Sequence, residues 1–203
     1  MRYAPTWPLP PYSYVPGHGL PHPVNDPAGH LQAAGSAAHA PPLCPAMLAG
    51  LPADAAPRRL ALDAALAAHP QWRFTLDLFN EGFYWEAHEA WEGFWLALGR
   101  TTPDARVVQG LIHLAAAAVK IREPRPAGVA RHARRGQELL GELAAAPPGG
   151  CPGLAAESVR GVVAELSTYR PACWHSSRTP VVRVIAARLR LADLPTVTAP
   201  GGR

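Results

Sequence analysis

The sequence predicts an all-α protein: a compact bundle of about five to six helices, preceded by a disordered or loosely draped proline-rich tail. Three observations carry this. Alanine and other good helix formers dominate while charged residues make up only 17% of the chain, and helix start and stop signals recur from residue 58 onward. No stretch shows the apolar–polar alternation of a half-buried strand. Residues 1–57 hold thirteen prolines and only three charged side chains, Arg2, Asp26 and Asp54. Proline removes a backbone donor and fixes φ, so neither helix nor sheet can propagate there.

Taken in order, Arg58 to His69 places Leu60, Leu62 and Leu66 among alanines, a short helix ended by Pro70. Trp72 to Phe79 adds amphipathic turns, and Asn80-Glu81-Gly82 reads as a break. A central helix follows over roughly 83–98 and stops at Gly99. Thr102-Pro103-Asp104 then combines an N-cap, a proline at the first helical position and an acid in the first turn. The helix it opens runs to about Ile121, before Pro124 and Pro126. Further helices are expected from about Ala127 to Ala145 and within Gly153 to Thr168. Thr179-Pro180 repeats the cap-and-proline signature and predicts a last helix to about Leu194. The resulting division is a tail at 1–57, a helical domain at 58–168 and a C-terminal extension at 169–203. Met47 is the only methionine besides Met1 and precedes the first helical pattern, so translation from Met47 is an alternative start.

Composition narrows the function classes. A net charge of +4 comes from arginine, with Lys120 the only lysine. No nucleic-acid-binding module or repeated aromatic–basic pattern accompanies it, so a nucleic-acid role using Arg122, Arg125, Arg131, Arg134 and Arg135 is the weakest reading. No segment approaches the ~20 uninterrupted apolar residues of a membrane span, and no basic region followed by an apolar run opens the chain. Cys44, Cys151 and Cys173 are far apart and match no metal-finger spacing, which reads as free thiols in a cytoplasmic protein.

The stretch Phe79 to Trp95 concentrates the chemistry. It holds three of the six tryptophans, four carboxylates and His88. At ~100° per residue, Tyr84, His88, Trp91, Glu92 and Trp95 fall on one side of a helix, with Glu89 at its edge and Glu86 directed away. A histidine and an acid one turn apart inside an aromatic stripe are informative, because acids are rarely inside unless paired or ligating. Two readings stand. In one, His88 and Glu92 satisfy each other and specify how helices meet. In the other, they ligate a metal or run acid–base chemistry. His88-Glu89-x-x-Glu92 is similar to the zinc-binding His-Glu-x-x-His pattern with its second histidine replaced, a change that suits manganese or iron at least as well as zinc. A third ligand would come from another helix, with His113 and His132 available. On the next helix Gln109, His113 and Lys120 stand opposite the apolar face, His113 and Lys120 read as solvated, and Gly110 would allow close helix packing.

Phe79-Asn80, Gly82, Tyr84, Glu86-Ala87-His88-Glu89, Glu92 and Trp95, with Gln109-Gly110-Leu111-Ile112, Ala115 to Ala118 and Gly128-Val129-Ala130, together resemble the domain of unknown function 309 family over about 72–145. The resemblance implies a compact all-α domain and no established activity. Some members are labelled metal-dependent hydrolases. Trp91 departs from the family, which usually has a smaller aliphatic residue there, and Pro124 to Pro126 replaces a polar turn.

The first expectation for function is therefore a polar pocket at Glu86, His88, Glu89, Glu92, Trp95 and Gln109, with Tyr84 in its wall, binding a small ligand or a protein partner. The second is a metal-dependent hydrolase with a divalent ion on His88 and Glu92 and with Glu89 as the base activating a metal-bound water. Homo-oligomerisation is compatible with either.

Overall fold

The computed structural model describes residues 1–32, 45–144, 153–169 and 179–192. Its helices are α1 (Pro45–Ala49), α2 (Ala55–Ala68), α3 (Pro70–Glu81), α4 (Tyr84–Ala97), α5 (Pro103–Arg122), α6 (Pro126–Ala144) and α7 (Ala156–Thr168). Among the described residues there is no strand, only an isolated antiparallel bridge between Leu154 and Leu191. Cys44, Cys151 and Cys173 lie outside the described residues. Among the described residues no helix is long and apolar enough to cross a membrane.

The boundaries follow local chemistry. Pro70 opens α3 at its first position, where the missing N–H has no intrahelical partner to lose. Gly82 closes α3 at φ 95°, and Phe83 N donates to Leu78 O at 2.8 Å. That left-handed turn favours glycine, and the chain segment at Val182 also passes within 3.0 Å of where a Cβ would sit. Thr102 caps α5 as expected, its hydroxyl accepting from Ala105 N at 3.1 Å.

α5 lies between α4 and α6 and is buried along most of its length. Gly110 and Gly136 set its distance from α6. A Cβ at Gly110 would meet Leu140 Cγ at 2.6 Å, and one at Gly136 would meet Leu114 Cδ2 at 2.8 Å. The close approach expected of Gly110 is thus made, onto Leu140. The core gathers Leu62, Leu66, Trp72, Phe79, Trp91 and Leu111, all essentially inaccessible.

The proline-rich residues 1–32 form turns and bends without helix or strand, as their composition dictates, but the helix-free stretch expected over 1–57 is corrected at its end, where α1 occupies Pro45–Ala49 and α2 begins at Ala55. They lie draped over the helices, fixed by buried carboxylates. Asp77 of α3 accepts from Tyr3 N and Ala4 N, both at 2.8 Å. Glu86 of α4 accepts from Tyr14 N at 2.9 Å and pairs with the Ser13 hydroxyl at 3.2 Å. Trp7 packs on Phe74 with ring centroids 5.2 Å apart.

The helix expected from Thr179-Pro180 is corrected. Residues 179–192 contain no helix. Val181, Val182, Val184 and Ile185 are β-branched, and side chains elsewhere capture the backbone groups a helix would have used. Tyr84 Oη accepts from Val184 N at 3.0 Å and Ile185 N at 3.1 Å. Glu165 accepts from Ala186 N and Ala187 N at 2.7 and 2.8 Å. Asn80 donates to Leu189 O at 2.9 Å and accepts from Leu189 N at 2.8 Å. Tertiary partners override the local signal.

This last pair makes a prediction. Asn80→Ala leaves a buried N–H and carbonyl at Leu189 without partners and should lower unfolding free energy by roughly 2–3 kcal/mol. Urea unfolding and amide exchange at Leu189 measure it; an unchanged exchange rate would remove Asn80 as the anchor of this segment.

Candidate functional site

In the second and third turns of α4, His88, Glu89 and Glu92 project from neighbouring positions of the helix. Each offers a ligand atom, and these atoms all lie within 4.8 Å of one another. His88 Nδ1 is 3.4 Å from Glu89 Oε1. That nitrogen is shielded from water and has no hydrogen bond within ordinary geometry. All three side chains are half-buried rather than enclosed, which corrects the expectation that His88 and Glu92 are shut inside the aromatic stripe. The stripe turns its large rings, Trp91 and Phe94, to the core and leaves the histidine and acids at its edge. Burial pushes the Glu92 carboxyl above the usual range; the His88 charge opposes this and the Glu89 charge adds to it.

Neighbouring helices complete the surroundings. His113 of α5 and His132 of α6 approach with their Nδ1 atoms 3.1 Å apart. Burial lowers the pKa of both. For His113 the charges of Arg135, His88 and Arg131 lower it further. For His132, His113, Arg131, Lys120 and His88 add to the burial effect, bringing it to about 4. Both imidazoles are therefore neutral near pH 7, and in their contact one Nδ1 donates while the other accepts. A cavity of about 230 Å³ adjoins His132, lined also by Pro16, Trp85, His88, Ala116, Lys120 and Glu123. Lys120 Nζ is held by Glu123 at 2.7 and 2.8 Å. The solvated face expected for His113 and Lys120 is instead half-buried, because α5 has helices on both sides.

The other expected pocket residues separate. Tyr84 is buried, and its hydroxyl serves residues 184 and 185, where burial raises the phenol above its ordinary range. Glu86 does not point away from the protein: it is 1% exposed and sits beneath residues 13–30. Trp95 is near the C-terminal end of α4, donating from Nε1 to Arg100 O at 3.0 Å with the Arg100 guanidinium 5.5 Å from its ring. Gln109 is half-buried on α5, one turn before His113. Tyr84, Glu86, Trp95 and Gln109 do not line the cavity beside His88. Periodicity could not find Trp85, which stands off the aromatic stripe yet meets Tyr14 and His22 edge-on at 5.3 Å each and walls the cavity.

A second, larger cavity of about 500 Å³ lies between α6 and α7, lined mainly by Leu140, Val159 and Val163. No imidazole or carboxylate residue lines it, so it offers shape without acid–base or ligating chemistry.

Residues 72–132 match the family model described as Domain of unknown function (DUF309), which bears out the resemblance of this segment. The match spans α3, α4, α5 and the start of α6, and it contains every imidazole and carboxylate of the cluster. No curated protein and no solved structure matches the chain.

Proposed function

We propose that residues 72–132 of this chain, the segment similar to DUF309, form a helical domain that binds a divalent cation through His88 and Glu92. Glu89 stands in the same cluster, placed to be a third ligand or the base of a metal-assisted hydrolysis. The observation that carries the reading is the convergence of one imidazole and two carboxylates within 4.8 Å, beside a shielded His88 nitrogen that lacks a hydrogen-bond partner. A nitrogen and carboxylate oxygens at that spacing are a donor set for first-row divalent ions. Hydrolysis is the second reading. The cavity adjoining His88, walled by Trp85 and Pro16, favours it by giving a small ligand somewhere to sit beside the ion.

Calorimetric titration of chelator-stripped protein with zinc, manganese and magnesium tests the first reading. One ion should bind per chain, and His88→Ala or Glu92→Gln should each weaken it at least about a hundredfold, ~2.7 kcal/mol. Equal affinity in His88→Ala and the wild type would sink the proposal. Should binding hold, Glu89→Gln separates the two roles of that acid. Loss of affinity marks a ligand, whereas retained affinity with lost turnover of a model ester marks a base.

A further inference from the structure

We infer that the cavity between α6 and α7 binds a small apolar molecule carrying one carboxylate, its chain along Leu140, Val159 and Val163 and its carboxylate on Arg160. None of the residues lining this cavity lines the one beside His88, and the inference does not depend on the cation reading above.

Shape comes first. The volume of about 500 Å³ falls in the ~300–1,000 Å³ range of small-molecule sites. Of its lining, Leu140 and Val159 are buried and Val163 is half-buried. On α7 the lining positions 156, 160, 163, 164 and 167 follow a single helical face. Two of them are alanine, too short to fill the space.

Gly141 is the second observation. Of the three glycines of α6, a Cβ at Gly128 would meet Lys120 Cγ at 3.0 Å and one at Gly136 would meet Leu114 Cδ2 at 2.8 Å. Close packing accounts for both. A Cβ at Gly141 would meet nothing within 4 Å, and its φ is not left-handed. Inside a helix, glycine is less stable than alanine. Among the described residues, then, neither packing nor backbone geometry calls for a glycine there. It does line the cavity, where a side chain would take up room.

Charge decides the class of ligand. Arg160 is the one charged residue among those lining the cavity. The acids described on the two helices are engaged elsewhere: Glu138 with Arg134 and Arg135, Glu157 with Arg190, and Glu165 with the amides of Ala186 and Ala187. Ser167 and Thr168 donate their hydroxyls to Val163 O and Glu165 O at 2.8 and 2.9 Å. That leaves Arg160 and Gln137 to donate to a ligand. A guanidinium beside an apolar wall matches a carboxylate on an apolar chain and disfavours an ammonium. The plainer account is a water-filled crease between two helices, which would not choose between ligands of one shape and opposite charge.

Calorimetric titration of the full-length chain with decanoate, decanol and decylammonium, each below its micelle-forming concentration, makes that comparison. Decanoate should bind at least about threefold tighter than decanol, the size of one exposed charge pair, and decylammonium should bind weakest. Arg160→Gln should bring decanoate to the level of decanol and leave decanol unchanged, whereas Arg134→Gln, outside the cavity, should change neither. Gly141→Leu should weaken decanoate and decanol at least about tenfold. Leucine is the better helix former, so the Tm of that variant should not fall, and its lost binding would not come from unfolding. The inference is overturned if wild type binds none of the three or prefers decanoate by less than about threefold. It is equally overturned if Gly141→Leu binds as wild type does, or if Arg134→Gln weakens decanoate as much as Arg160→Gln.

Discussion

Replacing Trp91 by alanine should lower unfolding free energy by about 3–5 kcal/mol, the range for deleting a fully buried large aromatic. Trp91 is 0% exposed, and its ring lies 5.6 Å from that of Phe79, where α3 and α4 meet. No neighbouring helix can swing into the space, because α4 is also held by α5 and by residues 1–32. The indole Nε1 is buried with no hydrogen-bond partner among the described residues, and such a donor is costly. Trp91→Leu removes that donor and fills part of the volume, so it should lose less than half of what alanine loses. Urea unfolding with unchanged m-values measures both. A loss under about 1 kcal/mol for Trp91→Ala would show that the tryptophan is not packed as described.

Glu86 should make the fold's stability depend on pH in a direction opposite to most carboxylates. Burial pushes its pKa from 4.5 to about 7, against the lowering effects of the Tyr14 N–H, its own N–H, the Ser13 hydroxyl and the Arg122 charge. The folded state therefore holds a proton that the unfolded state has released between about pH 4.5 and 7. Stability from this group is full below that window and is lost as pH rises through it, by on the order of 3 kcal/mol at most.

His30 runs the other way. Its Nε2 is 3.4 Å from Glu86 Oε1, and burial lowers its pKa to about 4. Its contribution is present above its ordinary value of 6.5 and is lost as pH falls towards 4. The raised acid and lowered base make their contact one between neutral groups near pH 6, not an ion pair. Glu86→Gln mimics the protonated carboxyl, so the stability difference between wild type and variant separates Glu86 from the histidines that do not touch it. Wild type should lose ground against the variant between about pH 4.5 and 7, and amide exchange at Tyr14 should quicken with it. A difference that stays flat over that range would mean that Glu86 remains charged in the fold.

Helices were legible wherever punctuation and periodicity agreed. Thr102-Pro103-Asp104, Gly82 and Pro70 each act locally, through a hydroxyl, a left-handed turn and a missing donor, so the sequence alone reveals them. Residues 179–192 carry the same cap signature and fail. Their amides are taken by Tyr84, Glu165 and Asn80, partners at long range that no local pattern contains. The cluster of His88, Glu89 and Glu92 was legible because it lies within one turn of one helix. The surroundings of Glu86 and His113 were not. A helical wheel assigns one inward face, whereas α4 is covered on a second side by the proline-rich residues and α5 is flanked by α4 and α6. On such elements the side opposite the core is still an inside.

The way Asp77 and Glu86 hold residues 1–32 has an evolutionary corollary. Both acids grip main-chain amides, those of Tyr3, Ala4 and Tyr14, and an amide looks much the same whatever residue bears it. At Tyr3, Ala4 and Tyr14 the side chain can change while these three bonds persist. Proline at any of those three places, having nothing to donate, would loosen the hold.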